Sequence, residues 1–357
     1  MTVLTAAAAP PLDQAAAVTI SADVTPTEWD RYVGDHPDAT PDHLWGWRRV
    51  FADVFGHDSV YLVARRHGAV TGVLPLVLFQ SRVFGRSITS VPFLNYGGIL
   101  ADDSASAAAL LEQATAETRA FGGSHLELRH QRRVFEDLPC RQHKLAVTRP
   151  LPATVGELWA GTDRKVRNQV RKAQKAGLVA ANGGRELLGS FYEVFARNMR
   201  DLGTPVYSPR LFEMTLGVLG ERAELFVVRQ GSRTLAGAVA IRLRDTMLVP
   251  WASSLRAYRH LCPNMLLYWT MMEQGTASGV KTFDFGRSSP GSGTHQFKLQ
   301  WGARATPLAW EYVMLSGHDV PDQGPSNPKF RLAIGAWKRL PLAVATRLGP
   351  AIARHLP

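Results

Sequence analysis

The chain has 357 residues, which at roughly 150 residues per domain favours two domains over one. With 45% hydrophobic and 20% charged residues it has ordinary globular composition, which excludes a wholly disordered or fibrous chain, and no apolar run approaches the ~20 residues of a membrane span. Lys and Arg number 41 against 30 acids, a net charge of +11 that points to nucleic acid, an anionic membrane surface or a phosphorylated substrate, the plainer reading being a generally Arg-rich soluble protein.

Residues 1–17 are Ala-rich and broken by Pro10, Pro11 and Asp13, so they read as a disordered lead-in and not as a secretory signal. Cys140 and Cys262 lie far apart without a CxxC, which supports neither a zinc ribbon nor a disulfide framework; no metal site and a cytoplasmic location are expected.

Taken in chain order, the elements occur twice. Helical segments at 27–32 and 44–55 precede an apolar run at 61–63, a turn holding Gly68 and Gly72, and a second apolar run to Phe79. A strand at 91–100, a helix near 107–121 and a strand at 122–129 follow. Helices at 188–201 and 209–219, a hairpin at 225–243, a strand at 247–253, a helix near 263–277 and a strand at 279–287 repeat that order at an offset of about 160 residues. The expected fold is a mixed α/β domain duplicated in tandem, with a first domain at 18–150 and a second at 151–316. A helix between strands calls for a right-handed crossover, and the parallel strands it joins can splay into a cleft for an extended ligand.

Between the repeats, Arg164, Arg167, Arg171 and Lys175 are spaced by three, four and four, placing them on one face of a helix over 162–176. Thr162 or Asp163 serves as its N-cap and Gly177 as its stop. Four like charges on one face repel, and such a face suits phosphate; a solvated linker helix is the alternative.

In the second repeat, the strand at 283–285 delivers Gly286 and Arg287 at its C-terminal end, where ligand residues of α/β sheets gather. The loop at 288–294 begins with Ser288 and Ser289 and is rich in hydroxyls and glycine, which lets backbone N–H groups approach an anion. Phe297 and Lys298 are expected as strand neighbours, Phe297 in the core and Lys298 facing the cleft. Asp284 is either a paired strand residue or part of the site, and Tyr207 and Tyr258 are candidate substrate contacts.

Three stretches together, the run Arg164 to Lys175, the Phe283-Asp284-Phe285-Gly286-Arg287-Ser288 strand and Phe297-Lys298 with Trp301-Gly302, resemble the FemAB group of transferases. With the closing stretch around Ser326, Leu340 and Leu348, the chain most resembles the FemAB-like proteins associated with exosortase/PEP-CTERM and exopolysaccharide gene clusters. The resemblance implies two tandem domains of the GNAT N-acyltransferase fold. It also implies amide formation on a peptidoglycan or other envelope precursor, from aminoacyl-tRNA, without a metal or covalent intermediate. By match, Lys298 polarises the donor carbonyl, Asp284 orients a cationic group or relays a proton, and Arg287 with Ser288 and Ser289 holds a donor or acceptor phosphate. The basic helix meets a phosphate backbone or diphosphate.

The turns 256–263 and 100–106, where a CoA-dependent GNAT domain would hold pyrophosphate, contain no glycine, and the second carries Asp102 and Asp103. This favours aminoacyl-tRNA over acyl-CoA and implies no bound cofactor. Residues 317–357 close the chain, and from 326 onward the segment is apolar and basic, free of acids and cut by Pro341 and Pro350, which suits either an anionic membrane surface near a lipid-linked acceptor or packing on the body. An acyl-CoA N-acyltransferase acting on an amino sugar, and a non-catalytic nucleic-acid or membrane adaptor, are the competing readings.

Overall fold

Two antiparallel hairpins organise the molecule. In the first, Arg66 pairs with Ala69 across His67 and Gly68, which both take positive φ, 51° and 79°, so the two-residue turn matches the twist of its strands. The computed structural model describes residues 17–81, 85–317, 320 and 328–356, with side chains from 333 onward in the last segment. The lead-in at 1–16, Ser326, and the side chains of Lys329 and Arg331 lie outside it.

The first half comprises β1 (Thr19–Ser21), α1 (Pro26–Asp35), α2 (Trp47–Val50), β2 (Ser59–Arg66), β3 (Ala69–Ser81), β4 (Gly85–Thr89), β5 (Leu100–Ala101), α3 (Ser104–Ala120), β6 (His125–His130) and β7 (Cys140–Arg141). There follow β8 (Leu145–Pro150), α4 (Val155–Ala160), α5 (Arg164–Lys175), β9 (Leu178–Gly183), α6 (Leu188–Leu202), α7 (Pro209–Leu219), β10 (Ala223–Gln230), β11 (Arg233–Leu243) and β12 (Thr246–Ser254). The chain continues through α8 (Pro263–Ala277), β13 (Thr282–Ser288), α9 (Gly293–Leu299), β14 (Arg304–Pro307), β15 (Ala309–Met314), α10 (Pro328–Trp337) and α11 (Leu342–Ala353). The mixed α/β duplication is present as expected. The stretch 91–100 departs from it: after β4 the chain leaves the sheet as a buried loop, with Val91 and Phe93 held at positive φ, and only Leu100–Ala101 returns to strand.

The two sheets exchange strands. One has the order β1-β2-β3-β4-β6-β15-β7 with β5 on β3, the other β14-β8-β13-β12-β11-β10-β9. Strand β8, from the expected first domain, pairs antiparallel with β13 and β14, and β15, from the expected second, pairs antiparallel with β6 and β7. A cut at residue 150 therefore does not divide the sheets.

The halves also share a core. Trp29, Trp47 and Phe51 of the first pack in one cluster with Phe191, Phe212 and Trp251 of the second, and the Trp47 and Trp251 rings are 6.2 Å apart. A buried side chain of Phe size contributes about 1.5–3 kcal/mol, so separating the halves would forfeit several such terms. The closing helix is part of this assembly. A Cβ at Gly349 would come within 2.4 Å of the Val206 carbonyl, so only glycine lets α11 lie on that loop, and the Arg354 carbonyl is 2.8 Å from His57 Nε2.

Candidate active site

Strands β12 and β13 run parallel for three residues, Thr246 to Leu248 against Thr282 to Asp284, and pair no further. There β13 bulges against β8 between Asp284 and Arg287. Gly286, at φ 71°, makes the bulge possible: a Cβ there would lie 3.0 Å from the Val249 carbonyl and 3.3 Å from Asn95 Nδ2. The bulge turns two carbonyls toward α9, and Lys298 Nζ donates to the oxygens of Gly286 at 2.9 Å and Arg287 at 3.0 Å.

Lys298 thus lies on a helix and not on the expected strand. Ser292 caps α9 by accepting from the His295 N–H, and the short segment is held between β13 and β8. On a helix, successive residues point about 100° apart, which still separates the pair: the Phe297 ring packs 5.1 Å from that of Tyr268, while Lys298 is buried against the bulge. Burial holds the Lys298 ammonium down to about 8; the Asp284 carboxylate opposes this and Arg287 adds to it.

Asp284 is 4% exposed, and its Oδ1 accepts from the Gly286 N–H at 2.7 Å and from the Tyr96 hydroxyl at 3.0 Å. Burial pushes its carboxyl up to about 6, against those two hydrogen bonds and the nearby Lys298 charge. Tyr96 comes from the irregular loop of the first half. The same loop meets a second buried carboxylate, Asp42, whose Oδ2 accepts from the N–H groups of Asn95 and Tyr96, both at 2.8 Å. Burial raises Asp42 to about 7, the two N–H donors pull it down and Asp284 raises it further. The chain Asp42, loop 95–96, Tyr96 hydroxyl, Asp284 and Lys298 therefore crosses the junction of the halves. Sequence reasoning found Asp284 and Lys298 and missed Asp42, Asn95 and Tyr96; the Asn95-Tyr96-Gly97-Gly98 run, atypical of a strand interior, was the available signal.

Beyond the bulge, Arg287 closes the strand with its guanidinium 5.5 Å from the Trp310 ring centre, Ser288 is buried, and Ser289 Oγ accepts from Lys144 Nζ at 2.9 Å. Tyr207 packs its ring edge-on against Phe55 at 6.0 Å and Phe93 at 6.4 Å; burial raises its phenol, and the charges of Arg287 and then Arg129 lower it. Lys298, Asp284, Arg287, Ser288, Ser289 and Tyr207 thus gather in one region.

Tyr258 and the basic helix do not join them. Tyr258 accepts from the Arg233 guanidinium at the far end of the β10–β11 hairpin. On α5, Val166, Val170 and Ala173 are buried toward α8, Asp163 is the N-cap, and Arg164, Arg171 and Lys175 are exposed with Arg167 partly so. Arg171 lies 5.1 Å over the Trp159 ring. A cavity of about 800 Å³ borders the site where the sheets meet, lined by Tyr96, His43, Arg129 and Arg132 of the first half and by Thr148 and Thr306 of β8 and β14.

Residues 160–299, from the end of α4 through α9, match the acetyltransferase (GNAT) domain family. No curated protein matches the chain by sequence. Among solved structures, FemX is 17% identical, with 88% of this chain and 100% of that chain covered at a TM-score of 0.64. A tandem GNAT protein from the clavulanic acid biosynthesis pathway is 12% identical over 85% of this chain and 100% of that one, TM-score 0.53. The C-terminal domain of a putative lysylphosphatidylglycerol synthetase from Agrobacterium fabrum is 11% identical over 80% and 90%, TM-score 0.57. The fold is that of two GNAT units in tandem, as in those structures.

Proposed function

We propose that the protein is an acyltransferase of the FemAB type, which joins an aminoacyl or acyl group to an amine of a cell-envelope precursor. The observation that carries this reading is a buried lysine donating to the bulge of β13 beside a buried carboxylate, at the point where β12 and β13 separate.

In this reading the acceptor amine attacks the donor's ester carbonyl. A C–N bond forms, the C–O bond breaks, and the proton lost by the amine ends on the departing oxygen. Lys298 supplies positive charge to the oxyanion that develops, and removing one such donor costs ~10²–10³ in rate. Asp284, raised toward neutrality and joined to the Tyr96 hydroxyl, takes the amine proton and returns it. Tyr96, held by Asp42 through its backbone, is a positioning residue. The exposed cations of α5 suit the phosphate backbone of an aminoacyl-tRNA donor, and the cavity between the sheets suits a glycan or lipid-linked acceptor. Tyr258 is kept as an outlying contact. Among the described residues no helix is long and apolar enough to cross a membrane. The exposed row Val344, Leu348 and Ile352 on α11, beside Arg347, supports association with an anionic membrane surface.

An acyl-CoA donor acting on an exopolysaccharide amino sugar is the second reading. It is favoured by the acetyltransferase match and by the N-terminus of α8, where Cys262 is the N-cap without a side-chain bond and Arg259 and His260 stand just before it. The test is transfer of radiolabelled amino acid from bulk aminoacyl-tRNA, and of acetyl from acetyl-CoA, to envelope precursors. Product from the first alone supports the FemAB reading, and product from the second alone replaces its donor. Product from neither, with tRNA or membrane binding that Lys298→Ala leaves intact, supports a non-catalytic adaptor.

A further inference from the structure

Cations from both halves converge on one indole. Trp310 lies on β15, the strand that passes into the first sheet, and the guanidinium of Arg129 on β6 sits 4.2 Å from its ring centre, opposite in origin to Arg287 at 5.5 Å. Arg129 is 2% exposed; its Nε donates to Glu127 at 2.6 Å, while its Nη1 has no partner among the described residues. Nη1 of Arg287 has none either, and no carboxylate among the described residues pairs with that guanidinium. Lys144, one residue before β8, spends one proton on Ser289 Oγ, and Ser288 Oγ is buried without a partner among the described residues. Burial and the two arginine charges hold Lys144 down to about 8, and burial with Arg129 holds Arg287 down to about 10. His143 stands edge-on to the same indole, its imidazole held down to about 4 and thus neutral.

Arg129, Lys144 and Arg287 face Glu127, with Asp42 a further carboxylate that acts on Arg287, so the three cations lack a full set of paired carboxylates in a largely dry place. Buried charge of one sign is costly unless an opposite charge meets it. A phosphoryl group brings negative charge on several oxygens and so accepts from forked guanidinium donors on two sides and from the Ser288 hydroxyl. We propose that Arg129, Lys144 and Arg287 form a phosphoryl-binding clamp between the halves, with Trp310 as its fixed wall. The inference rests on the transferase reading only for which substrate carries the phosphate; it adds Arg129 and Lys144 to Arg287 and makes the site a joint product of both halves. Because β8 and β15 are the exchanged strands, the exchange itself brings Lys144 and Trp310 to Arg129 and Arg287.

The test is calorimetric titration of the full-length protein with inorganic pyrophosphate and inorganic phosphate, against nitrate at equal ionic strength. The expected result is saturable one-to-one binding of the first two and not of nitrate. Arg287→Gln and Lys144→Gln, both at partly exposed positions, should each weaken it at least about tenfold, and Arg119→Gln on α3 should leave it unchanged. Competition by a UDP-linked N-acetylhexosamine or by CoA then identifies which substrate brings the phosphate. Absence of binding, binding equal in Arg287→Gln, or loss on Arg171→Gln of α5 instead would overturn the clamp. Pyrophosphate binding that follows these variants in a protein yielding no transfer product would retain the clamp and sink the transferase reading; transfer without such binding would do the reverse.

Discussion

The two halves repeat one plan and end it differently. In the first, β4 and β6 run parallel at Ile88–Leu126 and Thr89–Glu127, and the next helix, α3, is closed at its N-terminus by the chain itself. Asp103 accepts from the Ser106 N–H at 2.8 Å and is bridged by Arg66 at 2.8 Å. In the second, β12 and β13 likewise pair over only a few residues, three against two in the first half, but β13 bulges beyond them and α8 starts without a side-chain cap. The first half has filled its helix end with its own carboxylate and arginine. The second has left its strand end to Lys298 and Asp284, and borrows Tyr96 from the first half to hold them. Duplication supplied two scaffolds, and on the proposed reading the difference between their ends gives support to one and chemistry to the other.

The sharpest way to break this contrast is Lys298→Ala. It should lower the transfer rate by ~10²–10³ with the circular dichroism spectrum unchanged; a rate within a few-fold of wild type would remove Lys298 from the chemistry. Next in size is Asp42→Asn, read by thermal unfolding from pH 4 to 8. Its folded carboxyl is raised to about 7, so the stability it contributes is present below the ordinary carboxylate pKa and lost as pH rises through about 7. The Asn variant keeps both acceptor bonds without the charge. It should flatten that decline and exceed wild type at pH 8 by roughly 2–4 kcal/mol, and an unchanged slope would show that Asp42 does not carry the strain.

The transfer rate itself should follow a bell. It rises as Asp284 ionises near pH 6 and falls as Lys298 loses its proton near pH 8. Lys298→Arg should move the alkaline limb upward, and a limb that stays in place would assign it to another group. The smallest effect is the control from the other half: Asp103→Ala should cost about 1 kcal/mol of stability, as lost caps do, with the transfer rate unaffected. A drop in rate there would mean that the first-half helix end is functional after all.

Much of this was legible locally. The repeat order, the basic face of α5 and the Asp284-to-Ser288 strand follow from periodicities of two and 3.6, which neighbouring residues alone impose. The pair Phe297 and Lys298 was read wrongly for element, and Lys298, expected to face the cleft, is more buried than Phe297, which is only partly covered. Seven residues carry too little periodicity to separate a strand from a helix when Ser292 provides a cap and a packed surface decides. The loop 91–100 looked like a strand because it is apolar; it is apolar because it is buried between the halves.

What the sequence determined by itself is therefore the inventory: a duplicated mixed α/β chain, a basic helix, and a lysine and an aspartate in the second repeat. The tertiary structure alone decided how they act together. Asp42 reaches the backbone of Tyr96 from 54 residues away, and the Tyr96 hydroxyl reaches Asp284 from 188. The exchange of β8 and β15 sets the cations of both halves around Trp310. Contacts of that span leave no trace in local spacing, because they are selected by the free energy of closing the whole core and not by the preference of any one segment.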